Sequence, residues 1–119
     1  MYIRKLTGMY GEDFACKYLE KNNYSILERN FHCYQGEIDI IAKDNLKNEL
    51  VFIEVKTRTN LNYGYPIESV TINKQKHLFK ACNYYLYKNN INNVFIRVDV
   101  IEIFLNNGIP YIRHVKQIF

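Results

Sequence analysis

At 119 residues, 48% of them apolar and 24% charged, the chain is long enough to bury a core without metal or disulfide staples and too apolar to be disordered. Its net charge of +4 permits a nucleic-acid partner without demanding one, because a polyanion binder needs its charge gathered on one face. Three scattered cysteines, Cys16, Cys33 and Cys82, form no C-x-x-C pair, which predicts free thiols and a cytoplasmic location.

The N-terminal M-Y-I-R-K-L-T-G lacks the apolar core of a secretion signal, and no run approaches the roughly 18 apolar residues of a membrane span, so no membrane association is expected. From Gly8 to Lys21, Phe14, Ala15, Tyr18 and Leu19 recur at helical spacing, with Thr7 as the expected N-cap and Asn22-Asn23 as the stop. Glu12 leaves this helix roughly 160° away from Phe14, and taken alone it reads as a solvated glutamate. Tyr24 to Phe31 has the pattern of a first strand, followed by a turn-like H-C-Y-Q-G segment. His32 and Cys33 point to opposite faces of an extended chain and no second pair follows at finger spacing, so a zinc site is not expected.

Two alternating apolar runs, Glu37 to Lys43 and Leu50 to Lys56, flank the polar segment Asp44 to Glu49 and predict an antiparallel hairpin. If its turn centres between Leu46 and Lys47, Asp39 lies opposite Glu54 and Glu37 opposite Lys56, each pair on one face. Two carboxylates so placed repel by roughly 1 kcal/mol in water and about 4 kcal/mol at an effective dielectric of 20. Two readings remain open from the residues alone: a solvent-facing ladder of charges, or a site built for a divalent cation. In either, Glu37 is the expected partner of Lys56, whose pKa should rise beside carboxylates.

Thr57 to Pro66 reads as a surface loop, either a plain connector or an arm in which Arg58, Tyr63 and Tyr65 grip phosphate and stack on bases. A second helix is expected from about Asn73 to Lys88, with Leu78, Cys82, Tyr85 and Leu86 on its apolar face and Asn73 or Thr71 as cap. Lys74, Lys76, His77 and Lys80 make its first turns basic, with Lys76 and Lys80 on one face. That cluster is either solvated surface or the place for backbone phosphate contacts. Val94 to Leu105 is apolar enough to be a strand covered on both faces, in which Arg97 and Asp99 pair with each other or with a nearby charge. Asn106-Asn107-Gly108 signals a hairpin turn, and Tyr111 to Phe119 returns as a last strand. The order α-β-β-β-α-β-β predicts one α/β domain over residues 1–119, a mixed sheet flanked by helices.

The helix bearing Glu12, then G-E-I-D at Gly36 to Asp39, then F-I-E-V-K-T-R at Phe52 to Arg58, resembles the PD-(D/E)XK nuclease superfamily. More narrowly the chain resembles the bacterial YraN family, whose fold is similar to that of archaeal Holliday junction resolvases. G-x-x-G-E at Gly8 to Glu12, A-x-x-Y-L at Ala15 to Leu19, Arg29-Asn30 and the R-x-D at Arg97 to Asp99 carry the same resemblance. It implies a restriction-endonuclease-like core with Asp39 and Glu54 as ligands of Mg²⁺ or Mn²⁺, joined by the backbone carbonyl of Val55. It further implies that Lys56 is the lysine of E-x-K, positioning water and stabilising charge, and that Glu12 is an accessory acid. Ile38 stands where the superfamily's name has proline, which carries no chemistry. The implied activity is a Mg²⁺-dependent DNA endonuclease acting on branched or damaged DNA, with Arg58, Lys74, Lys76 and Lys80 as candidates for nucleic-acid contacts. The alternatives are a catalytically silent nucleic-acid-binding module and an interaction protein of a DNA repair or processing complex. A homodimer is compatible with the analogy to junction resolvases.

Overall fold

The computed structural model describes residues 2–58, 71–105 and 110–118, with side chains from Tyr10 onward in the first helix. Helix α1 runs Tyr2–Lys21, so Thr7 lies inside it and is not its cap. No proline or other helix stop precedes Thr7, and the chain stays helical past it. The helix ends as expected, with the Asn22 N–H donating to the Leu19 carbonyl at 3.0 Å and Asn23 in the left-handed region at φ 68°.

Five strands follow in one sheet, β1 Tyr24–Cys33, β2 Gly36–Asp44, β3 Glu49–Arg58, β4 Phe95–Phe104 and β5 Tyr111–Val115, in the spatial order β1-β2-β3-β4-β5. Helix α2, Ile72–Lys88, lies between β3 and β4 in sequence and is capped by the Thr71 side chain, which accepts from the Lys74 N–H. β3 and β4 are parallel, and α2 makes the crossover that a parallel pair requires; the other neighbours are antiparallel. This is the mixed sheet flanked by helices expected of a restriction-endonuclease-like core.

Each face of the sheet has its own apolar layer. Ala15, Cys16 and Leu19 of α1 pack on Ile40, Ala42, Val51 and Ile53, while Leu78, Ala81 and Tyr85 of α2 pack on Phe31, Ile41, Phe52 and Val100. β4 is buried from Arg97 to Phe104, which explains why its sequence is apolar on both faces.

Three boundaries differ from expectation. β1 extends through His32 and Cys33, leaving only Tyr34 and Gln35 for the turn. Thr57 and Arg58 belong to β3, because β4 pairs with them in parallel; Tyr63, Tyr65 and the Asn106-Asn107-Gly108 turn lie outside the described residues. The last strand stops at Val115. Gln117 adopts φ 55° and the Ile118 N–H donates to the Val98 carbonyl at 2.9 Å, which carries Ile118 into the α2-side core.

Arg97 and Asp99 pair as expected, within a larger buried network. The Arg97 guanidinium donates to Asp99, to Asp44 at 3.0 Å, to Glu49 at 2.8 Å and to the Tyr24 hydroxyl at 2.7 Å. His114 Nε2 donates to Asp99 at 2.7 Å, and its Nδ1 accepts from the Tyr18 hydroxyl at 2.9 Å. Burial opposes ionisation of Asp44 and Asp99, but their hydrogen bonds outweigh it and hold both carboxyls below the usual range. Among the described residues, no helix is long and apolar enough to cross a membrane.

Candidate active site

The β2–β3 hairpin has the register read from its sequence, from Asp44 opposite Glu49 to Ile40 opposite Ile53, and the ladder stops one pair short of Asp39 and Glu54. Beyond that point the strands part. Ile38 and Ile41 lie in the α2-side core while Ile40 and Ala42 lie in the α1-side core, so the alternation of faces breaks at Asp39. On the neighbouring strand Asn30 takes up the same break with φ 51°. The Asp39 side chain replaces the missing backbone acceptor: its Oδ2 accepts from the Val55 N–H at 2.8 Å. A carboxylate is thereby fixed between two strands by main-chain geometry.

Glu54 projects from β3 toward α2 and is 8% exposed. Its Oε1 takes two ammonium groups, Lys56 at 3.2 Å and Lys74 at 2.8 Å. The meeting of Lys74 with Glu54 follows from topology. A helix that crosses over from β3 begins at the carboxyl end of that strand, where ligand sites of open α/β sheets form.

The electrostatics of this cluster are strained. Burial, and then the Glu54 charge, push the Asp39 pKa up to about 7 despite the opposing Val55 hydrogen bond, with smaller contributions from Glu12 and Glu37. Glu12 is half-buried, 4.0 Å from Arg29, and burial raises its pKa too. The accessory acid implied for α1 is thus within electrostatic reach of Asp39. Lys56 departs from expectation: its pKa is lowered, first by burial and then by the neighbouring Lys74, which together outweigh Glu54. Lys74 is held above the usual value because, against burial, its bond to Glu54 and the charges of Glu54 and Asp39 favour the ammonium.

Three further expectations change. Glu37 is not the partner of Lys56. With the strands splayed, its carboxylate turns outward to His32 at 3.1 Å, and Lys56 turns to Glu54. Arg58 lies in β3 and not on a loop arm, and its Nε donates to the fully buried Glu102 at 3.1 Å. On α2 the residues facing the site are Lys74, His77 and Lys80. Lys76 is exposed and does not line the cleft there, because the helix turns it away.

That cleft, about 530 Å³, is lined by Glu37 and Glu54 on one side and by Lys74, His77 and Lys80 on the other, with the Tyr34-Gln35-Gly36 turn as its floor. The sequence marks this segment as a turn but does not place it at the site, although its glycine carried a signal. Gly36 has φ +157°, a conformation L side chains rarely adopt, and a Cβ there would stand a tight 3.2 Å from the His77 carbonyl oxygen, so both the backbone and the close approach of α2 favour glycine.

The donor set suits a hard divalent cation. Among the described residues no three His, Cys, Asp or Glu side chains form a ready cage. Mg²⁺ keeps several waters and is commonly held by one or two carboxylates, which Asp39 and Glu54 can provide. Two partly buried carboxyls, one driven toward its neutral form, are the condition that such a charge would relieve.

The sequence profile of the uncharacterised protein family UPF0102 matches residues 11–103. The chain belongs to this family, the YraN family. A UPF0102 protein of Clostridium beijerinckii is 47% identical over 119 residues, covering 98% of this chain and 95% of its own. A UPF0102 protein of Clostridium botulinum is 51% identical over 121 residues, covering 99% and 97%. One from Clostridioides difficile is 48% identical over 115 residues, covering 97% of each chain. The stretch matched by UPF0102 includes Glu12, Asp39, Glu54, Lys56 and Lys74, so the whole cluster falls within the family's shared region.

Proposed function

We propose that this UPF0102 protein is a divalent-cation-dependent DNA endonuclease acting on branched or damaged DNA. The observation that carries the reading is the parting of β2 and β3 at Asp39, which brings its raised carboxyl beside Glu54, itself bound by Lys56 and Lys74, next to a cleft lined by carboxylates and lysines. Asp39 and Glu54, with the carbonyl of Val55, would hold Mg²⁺ or Mn²⁺. When bound, such an ion supplies Lewis acidity toward a phosphate oxygen and lowers the pKa of bound water.

The chain's own residues supply the rest. The Val55 N–H fixes Asp39, so the carboxylate needs no reorganisation on binding. Lys56 and Lys74 keep positive charge on Glu54 and offer it to a phosphate that enters the cleft. Lys56 acts here by charge and by orienting water, Glu12 stands by as an acid at the α1 edge, and Lys80 extends the positive wall along α2.

Four-way junction, flap, single-stranded and blunt duplex DNA, each incubated with the protein and Mg²⁺ or Mn²⁺, test this directly beside Glu54→Ala. At least one substrate should be cut by the wild type, with the rate falling at least a hundredfold in the variant. Equal cutting by both proteins, or no cutting of any substrate, would refute the reading. In the second case, carboxylate-dependent Mn²⁺ binding by calorimetry separates a silent nucleic-acid-binding module from a pure interaction protein.

A further inference from the structure

The cleft beside Glu54 does not end at Lys80. Tyr34, Gln35 and Lys80 line both that cleft and a second, open depression of about 530 Å³ that continues along α2 past Asn83, Tyr84 and Tyr87. His77, Lys80, Tyr84 and Tyr87 are spaced by three, four and three residues, which places them on one stripe of the helix about 15 Å long.

The side chains on this stripe are presented outward. Tyr34 is 101% and Tyr87 81% exposed, and Tyr84 is 39% exposed with its ring 6.2 Å from that of Phe31, which braces it. Single exposed tyrosines are ordinary on protein surfaces. Here three of them border one depression, that depression opens into a cleft holding two carboxylates and two lysines, and its charged lining residue is Lys80. The Gln35 side-chain oxygen at the junction of the two is buried and without a hydrogen-bond partner among the described residues, which marks the turn as a place where polar capacity is left unused.

Exposed aromatic rings beside a lysine match the chemistry of an unpaired nucleic-acid strand. Every base offers a face for stacking once it leaves a duplex, and the backbone needs cations alongside. Paired DNA hides those faces and is held through phosphates and groove edges, for which flat tyrosine rings serve poorly. We propose that Tyr34, Tyr84, Tyr87 and Lys80 form a track for single-stranded DNA leading into the carboxylate cleft. The substrate of the enzyme is then DNA with an unpaired arm. This assignment rests on the reading of the cleft as a DNA-cleaving site.

Binding is measured in EDTA, where cleavage does not enter, by fluorescence anisotropy of a short labelled oligothymidylate and of a blunt duplex of equal length. The wild type should bind the single strand more tightly. Tyr34→Ala and Tyr87→Ala should each weaken it about tenfold without a change in Tm, while the phenylalanine variants keep it. Lys80→Ala should reduce the slope of log K against log salt by about 0.7. Equal or tighter binding of the duplex, alanine variants that bind like wild type, or tighter binding of RNA of matching sequence would overturn the track. Cleavage assays on armed and blunt duplexes separate the two proposals. If nothing is cut while the alanine variants still lose the single strand, the track stands and the nuclease reading falls. If DNA is cut but arms and tyrosines make no difference, the nuclease reading stands and the track falls.

Discussion

The Asp39 carboxylate accepts the Val55 N–H at 2.8 Å, while burial and Glu54 push its pKa up to about 7. An acid whose folded pKa exceeds its unfolded value of about 4 stabilises the fold below that value, and the contribution is lost as pH rises through about 7. Asp39→Asn keeps an oxygen for Val55 and removes the charge. In EDTA at pH 8 it should therefore be more stable than wild type by about 1 to 2 kcal/mol, read as a higher Tm. Mn²⁺ should raise the wild-type Tm and leave that of Asp39→Asn almost unchanged. The nearness of Asp39 to Glu54 was legible by counting outward from the turn, but the parting of the strands between them was not. The arrival of Lys74 on Glu54 was not, since the two lie 20 positions apart on different elements.

At the scale of elements, α2 is the wall of the site, and its position depends on how closely it approaches the start of β2. Gly36→Ala places a methyl group against the His77 carbonyl and strains a backbone at φ +157°. The expected cost is about 1 to 2 kcal/mol in urea denaturation and, under the proposed nuclease function, a further loss of cleavage as Lys74 moves away from Glu54. The helix itself was readable from its apolar spacing and its Thr71 cap. Which of its basic residues face the cleft was not, because Lys74, His77 and Lys80 are selected over Lys76 by the packing of Leu78, Ala81 and Tyr85 on the sheet. Arg58 carries the same lesson: its neighbours in sequence suggest a loop, but pairing with β4 draws it into the strand and onto Glu102.

Over the whole molecule, two polar clusters act on stability with opposite sign. At the start of β3 and β4, Arg97 joins Asp44, Glu49, Asp99 and Tyr24, tying together the first four strands. The depressed pKa values of Asp44 and Asp99 mean that their contribution is present above about pH 4 and is lost as pH falls through their folded values. Asp39, at the other end of β2, lowers stability from about pH 4 to about 7. Thermal unfolding in EDTA should therefore be most stable at about pH 4 to 5, and Mg²⁺ should flatten the decline above that range. Arg97→Met leaves buried carboxylates without their cation and should cost about 3 to 5 kcal/mol at pH 7. The loss should shrink as pH falls and the acids become protonated. A pH-independent loss would show that packing and not charge accounts for it.

What the sequence determined by itself was local and periodic: the helices from their apolar spacing, the hairpin and its register from alternation, and the Asp39, Glu54 and Lys56 constellation from residues out of place in that alternation. These follow from 3.6- and 2-residue repeats, which need no knowledge of distant contacts. Tertiary structure decided which charges share a space. The splay at Asp39, the capture of Lys56 and Lys74 by one carboxylate, the loss of Glu37 to His32 and of Arg58 to Glu102, and the extension of the cleft along Tyr34, Tyr84 and Tyr87 all depend on how α2 and β4 settle on β3. A pKa or an ion pair depends on burial and on neighbours from other elements, and those are set only when the chain has packed.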